Sequence, residues 1–253
     1  MILEQFNLAG KVAIVTGCDT GLGQGMARAL AQAGSDIVGV NVTEPTETMR
    51  QVRATGREFL DLRANLADIS CIEGLVQKAL SITGQVDILV NNAGIIRRED
   101  ALKFTEKDWD DVMNINAKTV FFFSQAVARQ YVAQGTGGKI INVASMLSFQ
   151  GGVRVPSYTA SKSAVVGVTR LMANEWAARG INVNAIAPGY MATNNTAALR
   201  ADVGRNATIL ERIPAGRWGT PDDLGGPVVF LASRASDYVN GYTVAVDGGW
   251  LTR

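Results

Sequence analysis

Short apolar runs rich in β-branched residues alternate along the chain with longer segments whose apolar residues recur every three to four positions. The run over residues 11–16 is typical of a buried strand, and Met26, Ala27 and Leu30 follow it at helical spacing. The pattern predicts strands at 11–16, 36–41, 58–62, 86–91, 139–144, 181–187 and 242–246, and helices near 21–34, 46–55, 69–83, 106–134, 157–179 and 221–233.

This alternation is typical of an α/β domain with one doubly wound parallel sheet and helices on both faces. Continuously apolar strands, such as residues 86–90, agree with a sheet that is covered on both sides. Ligands of such sheets bind beyond the carboxyl ends of the strands, so functional residues are expected directly after strands. We predict a single domain over residues 1–253, with a partly helical, lid-like segment at about 190–219.

Composition limits the classes of function. The 253 residues are 47% hydrophobic and 19% charged, with a formal net charge of +1. This balance supports a sizeable core and argues against a generally basic surface, so we expect neither nucleic acid nor membrane lipid as a partner. No apolar run reaches the roughly 18 residues that a membrane span needs. The opening residues MILEQ lack the basic segment typical of a secretion signal.

Two residue types that often carry chemistry are missing or scarce. The chain has no histidine, which excludes Ser-His-Asp catalysis, histidine-bound metals and histidine general bases. Its two cysteines, Cys18 and Cys71, are too few for a four-cysteine zinc site or a disulfide framework. We therefore expect reduced thiols, a cytoplasmic protein and no metal site.

The sequence TGCDTGLG, residues 16–23, follows the first predicted strand and begins the first predicted helix. Glycines allow a tight turn close to a pyrophosphate, and a helix N-terminus offers free N–H donors. A plain glycine-rich turn is the alternative, but the position in the first βα unit favours dinucleotide binding. No lysine follows the last glycine, which disfavours a phosphate-transferring P-loop. The expected cofactor ligands here are Gly17, Asp19, Thr20, Gly21, Leu22 and Gly23.

The residue at the end of the second predicted strand helps to determine whether NAD or NADP binds. An acidic residue there usually accepts hydrogen bonds from the ribose of NAD. This chain has Asn41, which is uncharged but can still bind a ribose. NADP needs a cation for its 2′-phosphate. No cation lies in the glycine-rich turn or directly after Asn41, and Asp19 and Glu44 would repel the phosphate. We therefore predict NAD as the cofactor.

Tyr158 and Lys162 are four residues apart on a predicted helix, so their side chains lie one above the other. A free tyrosine has a pKa of about 10, and a neighbouring ammonium, together with the nicotinamide cation of a bound oxidised cofactor, is expected to lower it. The phenol can then exchange a proton with an alcohol or a ketone near neutral pH. Such pairs are also common on ordinary surface helices, which is the alternative for this motif taken alone.

Other polar residues follow the predicted strands and accompany this pair. Ser145 comes directly after the fifth strand, where its hydroxyl could hold a substrate carbonyl oxygen. Asn116 lies in the preceding helix and is expected to bind a water that links Lys162 to solvent, with a core amide as the alternative. Asn65 and Leu66 are placed to hold the adenine, with a simple turn as the alternative. Further expected cofactor contacts are Asn92, Ala93, Gly94, Pro188, Gly189, Met191 and Thr193.

Taken together, TGCDTGLG, NNAG, Asn116, Ser145, YTASK and the Pro188-Gly189 pair resemble the short-chain dehydrogenase/reductase family over essentially the whole chain. The resemblance implies a Rossmann-like sheet of about seven parallel strands, a homotetramer, and catalysis by Asn116, Ser145, Tyr158 and Lys162. Asn41 departs from the pattern, because NAD-linked members usually have aspartate there.

The resemblance narrows to members that interconvert a keto sugar acid and its hydroxy form with NAD(H) in bacterial pectin and uronate breakdown. A carboxylate substrate favours an arginine fork, although each arginine could equally be a solvated charge. Arg205 and Arg217 lie in or near the predicted lid. The expected substrate ligands are Ser145, Met146, Gln150, Arg154, Arg97, Arg98 and Asn194.

Two other functions use parts of the same pattern. A reductase of acyl-carrier-protein thioesters would require NADPH and a basic docking patch. A non-catalytic, dinucleotide-sensing regulator would be expected to have lost one of the four catalytic residues, and this chain has all four. The apolar C-terminal stretch around Trp250 could pack either at a subunit interface or within its own chain.

Overall fold

Seven parallel strands form the central sheet of the computed structural model, which describes residues 1–253. The strand order is β3-β2-β1-β4-β5-β6-β7, so the direction of winding reverses between β1 and β4, where α/β sheets bind their ligands. This arrangement confirms the predicted fold class. The strands are β1 (Val12–Thr16), β2 (Asp36–Asn41), β3 (Phe59–Arg63), β4 (Ile88–Asn91), β5 (Gly138–Val143), β6 (Ile181–Pro188) and β7 (Thr243–Val246).

Helices cover both faces of the sheet. Burial explains the two layers: Leu30 and Val228 belong to one apolar cluster, and Phe123 and Met172 belong to another. Burying each such side chain contributes about 1.5–3 kcal/mol. None of the helices is both long enough and apolar enough to span a membrane. The helices are α1 (Gly21–Gln32), α2 (Thr46–Arg53), α3 (Ile72–Thr83), α4 (Glu106–Met113), α5 (Thr119–Gln134), α6 (Pro156–Trp176), α7 (Ala197–Ala201), α8 (Val203–Arg212) and α9 (Gly225–Ala232).

The helix predicted over 106–134 has an interruption that periodicity does not predict. A π-helical turn, Asn114–Lys118, separates α4 from α5. The N–H of Thr119 donates to the carbonyl of Asn114, five residues earlier. Such turns are rare and frequently occur at functional sites, and this one contains the buried Asn116.

The segment 190–219 contains α7, α8 and a 3₁₀ turn at Asn194–Thr196, in agreement with the helical content expected of it. Met191 forms a parallel β-bridge with Gly219, which brings the two ends of the segment together. Trp250 packs within its own chain, at 4% exposure, with its ring 4.8 Å from the ring of Tyr190. The structure therefore supports the intramolecular alternative for this residue. The lid role of the segment stays a prediction.

Candidate active site

The glycine-rich turn is packed so closely that two of its glycines, Gly17 and Gly23, have no room for a side chain. A Cβ atom on Gly23 would lie 2.1 Å from the carbonyl oxygen of Gly17, and one on Gly17 would lie 3.0 Å from the Cα of Ala93. Gly17 and Gly21 also have positive φ angles of 60° and 58°, which glycine adopts at little cost. The turn leaves β1 and places the N-terminus of α1 at the carboxyl edge of the sheet.

Hydrogen bonds join this turn to the NNAG turn that follows β4. The amide of Asn92 donates to the carbonyls of Thr16 and Gly17, at 3.0 and 2.7 Å. The hydroxyl of Thr16 accepts from the N–H groups of Asn92 and Ala93. Asn92 therefore fixes the two turns to each other, a supporting role that the sequence pattern did not distinguish from direct cofactor contact.

Asn41 faces the glycine-rich turn and is 2% exposed. Its Oδ1 accepts from the N–H of Cys18 at 2.8 Å. Its Nδ2 is buried and has no hydrogen-bond partner, which is costly unless a ligand supplies an acceptor. Burial raises the pKa of the neighbouring Cys18 to about 12, so this thiol stays protonated.

The remaining predicted cofactor contacts line the same edge. The exposed Asn65 accepts from the N–H of Ala67 in a local turn, whereas Leu66 is 6% exposed and part of the core. A Cβ on Gly21 would lie 3.7 Å from the Thr193 side chain. This places the 190–219 segment directly across the cleft from the glycine-rich turn. Pro188 ends β6, Gly189 packs against Asp247, and Met191 is buried against Gly219.

Tyr158 and Lys162 occupy successive turns of α6, as their spacing predicts. The Lys162 Nζ lies 5.7 Å from the centre of the Tyr158 ring and donates to the carbonyl of Val143 at 2.6 Å. Lys162 is 5% exposed, and its Nζ bonds to a backbone carbonyl and not to a carboxylate. Burial without a counter-ion lowers its pKa to about 8.

In the protein chain alone, burial raises the pKa of Tyr158, opposed by the Ser145 hydroxyl and the positive charge of Arg98. In the protein chain without cofactor the pKa of Tyr158 is therefore raised, because desolvation outweighs the Ser145 hydrogen bond and the Arg98 charge; the lowering expected with the oxidised cofactor bound stays a prediction. Ser145 is 7% exposed and caps a short 3₁₀ turn at Met146–Ser148. The Ser148 hydroxyl donates to the carbonyl of Lys162 at 2.6 Å, which ties this turn to α6.

The side chain of Asn116 is fully buried and makes three hydrogen bonds. Its Oδ1 accepts from the N–H of Ile95, and its Nδ2 donates to the carbonyl of Ile95, both at 2.9 Å. Nδ2 also donates to the Ser161 hydroxyl at 3.2 Å, and that hydroxyl donates to the carbonyl of Tyr158. The amide thus connects the NNAG loop with the turn of α6 that carries Tyr158. The water-binding role expected of it stays a prediction.

The predicted substrate arginines differ in their partners. Arg97 pairs with Asp108 and Asp111, each at 3.5 Å. Arg98 has no carboxylate partner, lies close enough to influence the pKa of Tyr158, and donates at 3.5 Å to the carbonyl of Asn195. Among the predicted ligands, Arg98 is therefore the cation with charge to offer a substrate.

Arg154 is engaged elsewhere. Its guanidinium is 3.6 Å from the carboxylate of Glu99, and its carbonyl accepts from the N–H of Glu99. It is also the one non-glycine residue with a positive φ, 62°. Such outliers are most common near functional sites. Arg217, near the predicted lid, forms two 2.8 Å hydrogen bonds with Asp223.

A further arginine lies beside the site and is not among the site residues predicted from the sequence. Arg212, at the end of α8, donates to the side chain of Gln150 at 3.2 Å and stacks 4.0 Å from the centre of the Trp250 ring. Met146 packs in the same cluster as Trp250, whereas Asn194 is exposed. Only tertiary folding brings Arg212 to Gln150, since the two residues lie 62 positions apart.

These features fit a dinucleotide. The glycines keep the turn at the N-terminus of α1 free of side chains, and Asn41 at the end of β2 fixes this turn through the N–H of Cys18. Thr193 closes the opposite side of the cleft. The chain's own residues can therefore hold the pyrophosphate and ribose, with Tyr158, Lys162 and Ser145 beyond them.

Comparison with known proteins agrees with this geometry. A short-chain dehydrogenase family model described as enoyl-(acyl carrier protein) reductase matches residues 17–251. The chain is 73% identical to the 2-dehydro-3-deoxy-D-gluconate 5-dehydrogenase of Escherichia coli strain K12, and the match covers 100% of both chains. It is 54% identical to the enzyme of the same name from Bacillus subtilis strain 168, covering 99% of this chain and 98% of that one.

A solved structure matches equally completely. The gluconate 5-dehydrogenase of Burkholderia cenocepacia J2315, in complex with NADP and tartrate, has a TM-score of 0.94 and 39% identity, covering 100% of both chains. The likeness therefore extends over the whole fold. On this evidence, the chain belongs to the short-chain dehydrogenase/reductase family.

Proposed function

We propose that this protein interconverts 2-dehydro-3-deoxy-D-gluconate and its 5-keto (2,5-diketo) form by hydride transfer, in pectin and uronate catabolism. The observation that carries the proposal is the placement of Tyr158, Lys162 and Ser145 beside a cradle that fits a dinucleotide, with the unpaired Arg98 next to them. Full-length relatives of that name support the choice of substrate.

Each catalytic residue has a role in this proposal. Tyr158 donates its proton to the ketone oxygen during reduction and accepts it back during oxidation. Ser145 donates a hydrogen bond to the same oxygen and stabilises the charge that develops there. Lys162 places a positive charge near the phenol, which favours the phenolate form of Tyr158 during the proton transfer. When bound, the nicotinamide dinucleotide supplies or accepts the hydride.

Asn116 positions these groups and holds the water that carries protons between Lys162 and solvent. Its side chain joins the Ile95 backbone to Ser161 on α6, so it sets the distance between the NNAG loop and the catalytic helix. The remaining lone pair on its Oδ1, or its main-chain carbonyl in the π turn, provides the acceptor for that water.

Arg98 binds the substrate carboxylate. Arg97 and Arg154 are already engaged by carboxylates of the chain, whereas Arg98 is free to pair with an anion. An arginine–carboxylate pair is directional and strengthened by charge. It would hold the sugar acid so that its ketone faces Tyr158. Gln150 and Asn194 are available for the hydroxyl groups, and Met146 provides an apolar wall.

We propose NAD as the preferred cofactor, because Asp19 and Glu44 place negative charge where NADP carries its extra phosphate. The NADP bound to the Burkholderia cenocepacia enzyme makes the comparison of both cofactors part of the test. The acyl-carrier-protein reductase alternative is not favoured, since the closely similar full-length relatives act on a sugar acid according to their names. A non-catalytic regulator is disfavoured by the intact catalytic set.

We also propose a cytoplasmic homotetramer, as the family resemblance implies. Exposed apolar side chains on the catalytic-side helices, Trp109, Phe122 and Leu171, supply surface that association would bury. Sedimentation equilibrium measures the assembled mass, and a monomer at micromolar concentration would contradict this part of the proposal.

The decisive experiment follows dinucleotide oxidation with the 2,5-diketo acid as substrate, using NADH and NADPH, with a neutral ketose as the comparison. We expect turnover with NADH and the acid. Tyr158→Phe should lower turnover by roughly 10²–10⁴-fold while NADH binding stays within about twofold, because only the proton donor is removed. Undiminished turnover in Tyr158→Phe would overturn the catalytic assignment, and turnover with the neutral sugar alone would overturn the assignment of the substrate.

A further inference from the structure

We propose that Arg212, the last residue of α8, is a positioning residue for substrate binding. It orients the side chain of Gln150 so that the amide nitrogen donates to a hydroxyl oxygen of the sugar acid. This inference rests on the proposed function and deepens it, because it assigns the group that selects one orientation of Gln150. In this role Arg212 does not touch the substrate and acts through Gln150 alone.

The direction of the Gln150 amide follows from the chemistry of its partner. The Oε1 of Gln150 accepts from the Nη2 of Arg212 at 3.2 Å. A guanidinium has five N–H donors and no acceptor, so it can face only the oxygen end of an amide. The Nε2 of Gln150 therefore remains a free donor, from which a hydroxyl oxygen of the substrate can accept.

The loop around Gln150 does little to fix this side chain. Gln150 follows shortly after Ser145 in the loop that leads to α6, and its neighbour Phe149 is 48% exposed. A Cβ atom on Gly151 would meet nothing within 4 Å. A long side chain in such a loop has several staggered rotamers open to it, so a hydrogen bond from outside the loop is needed to select one.

Arg212 itself is held in place by the C-terminal segment. Its guanidinium stacks 4.0 Å from the centre of the Trp250 ring, which is 4% exposed, and this contact stabilises the cation and fixes its plane. Arg253 donates to the carbonyls of Glu211 and Arg212, at 2.8 and 3.4 Å. The guanidinium is thus fixed before a substrate arrives, which lowers the cost of ordering Gln150 on binding.

Apolar packing holds this end of α8 beside the site independently of the guanidinium. Ile209 and Ile213 lie in one buried cluster with Met146, the residue that follows the catalytic serine. The Arg212 side chain, in contrast, is on the surface. Its removal should therefore free Gln150 and leave α8 in place.

The test measures KM and kcat for the 2,5-diketo acid with NADH, in the unmodified protein and in Arg212→Met, Gln150→Ala and the double variant. Arg212→Met keeps an unbranched side chain against Trp250 but loses every donor. We expect it to raise KM roughly three- to tenfold and to leave kcat within about twofold, because the lost hydrogen bond holds substrate and transition state alike. The double variant should match Gln150→Ala, since Arg212 acts only through that amide.

Two further variants separate orientation from a general effect of the substitution. Arg212→Lys should restore most of the KM, because an ammonium also donates only to the oxygen end of the amide. Arg53→Met is the matched control and should change neither constant, since Arg53 is likewise the exposed last residue of its helix, α2. The Kd for NADH, measured by nicotinamide fluorescence, should stay within about twofold in every variant.

An unchanged KM in Arg212→Met or in Gln150→Ala would overturn the inference. An effect of Arg212→Met that persists in full when Gln150 is already alanine would also overturn it, because the guanidinium would then act through Trp250. A parallel loss of NADH binding would do the same, since it would show that the whole 190–219 segment had moved. Failure of the unmodified protein to turn over the 2,5-diketo acid would instead contradict the proposed function itself.

Discussion

The cofactor side and the substrate side of the cleft are built in opposite ways. On the cofactor side, Gly17 and Gly23 pack closely against the chain's own atoms, and Asn92 and Thr16 form hydrogen bonds between the two neighbouring turns. On the substrate side, Lys162 and Arg98 have no carboxylate partner. One side is completed by its own chain, and the other retains positive charge that only a ligand can pair.

This difference shows how one fold can keep its cofactor while its substrate varies. Close packing fixes the backbone conformation of the glycine-rich turn. The shape of this turn therefore depends on glycines, which carry no side chain. Recognition of an acidic substrate, in contrast, depends on single arginines. A few surface carboxylates determine which of these arginines are already paired within the chain. A change on the first side should affect every dinucleotide, and a change on the second should affect charged substrates alone.

The largest expected effect is a pH dependence of the free energy of unfolding, which tests the unpaired charge of Lys162. Burial holds the pKa of Lys162 at about 8, below its ordinary value of 10.5. Between these pH values the unfolded chain binds a proton that the folded chain does not, so the free energy of unfolding should rise with pH, by on the order of 3 kcal/mol in total. Urea unfolding at pH 8 and pH 10 should show this rise in the unmodified protein relative to Lys162→Met, in which the lysine is absent. Parallel pH profiles for the two proteins would contradict it.

The packing of the cradle is tested by Gly23→Ala. The new Cβ would meet the Gly17 carbonyl and the Asn92 amide at 2.1 and 2.5 Å, and relieving such overlap costs about 1–3 kcal/mol. Binding of NADH and NADPH should weaken together, by roughly tenfold to a hundredfold. Gly74→Ala is the matched control, because a Cβ on Gly74 in α3 meets nothing within 4 Å. If Gly23→Ala binds both cofactors normally, the cradle does not depend on close packing.

The smallest effect separates two neighbouring arginines. Arg98→Ala should raise KM for the sugar acid about tenfold and leave KM for a neutral ketone unchanged, because it removes a charge-assisted pair of about 1.5–3 kcal/mol, partly replaced by water. Arg97→Ala should change neither constant, since the Arg97 guanidinium is held by Asp108 and Asp111. Steady-state kinetics of both variants decides this point. Equal effects of the two substitutions on KM for the sugar acid would contradict the assignment of carboxylate binding to Arg98 and not to Arg97.

Much of the fold, the glycine-rich turn and the Tyr158–Lys162 pair could be predicted from the sequence, because their signals are local. The glycine-rich turn follows its strand directly, and the four-residue spacing of Tyr158 and Lys162 fixes their shared helix face. The sheet itself follows from the alternation of apolar runs and helical periods. These features need no knowledge of distant residues.

What the sequence could not provide depends on contacts between distant segments. Arg97 and Arg98 are adjacent in the chain, yet only Arg97 meets carboxylates from α4. The inward orientation of Asn41 depends on the N–H of Cys18, 23 residues away. The pKa of Tyr158 rises because tertiary packing removes water from the phenol, an effect larger than the neighbouring charges that spacing alone suggested.

The π turn between α4 and α5 has a consequence for the evolution of such chains. Because its hydrogen bond spans five residues instead of four, deleting one residue there would let a regular α-helix run through. It would also tighten the turn to 3.6 residues, which changes the direction in which the Asn116 side chain points. Asn116 would then lose Ile95 and Ser161. A one-residue alignment gap at this place in a relative would therefore mark a lost active site, even where Ser145, Tyr158 and Lys162 all remain.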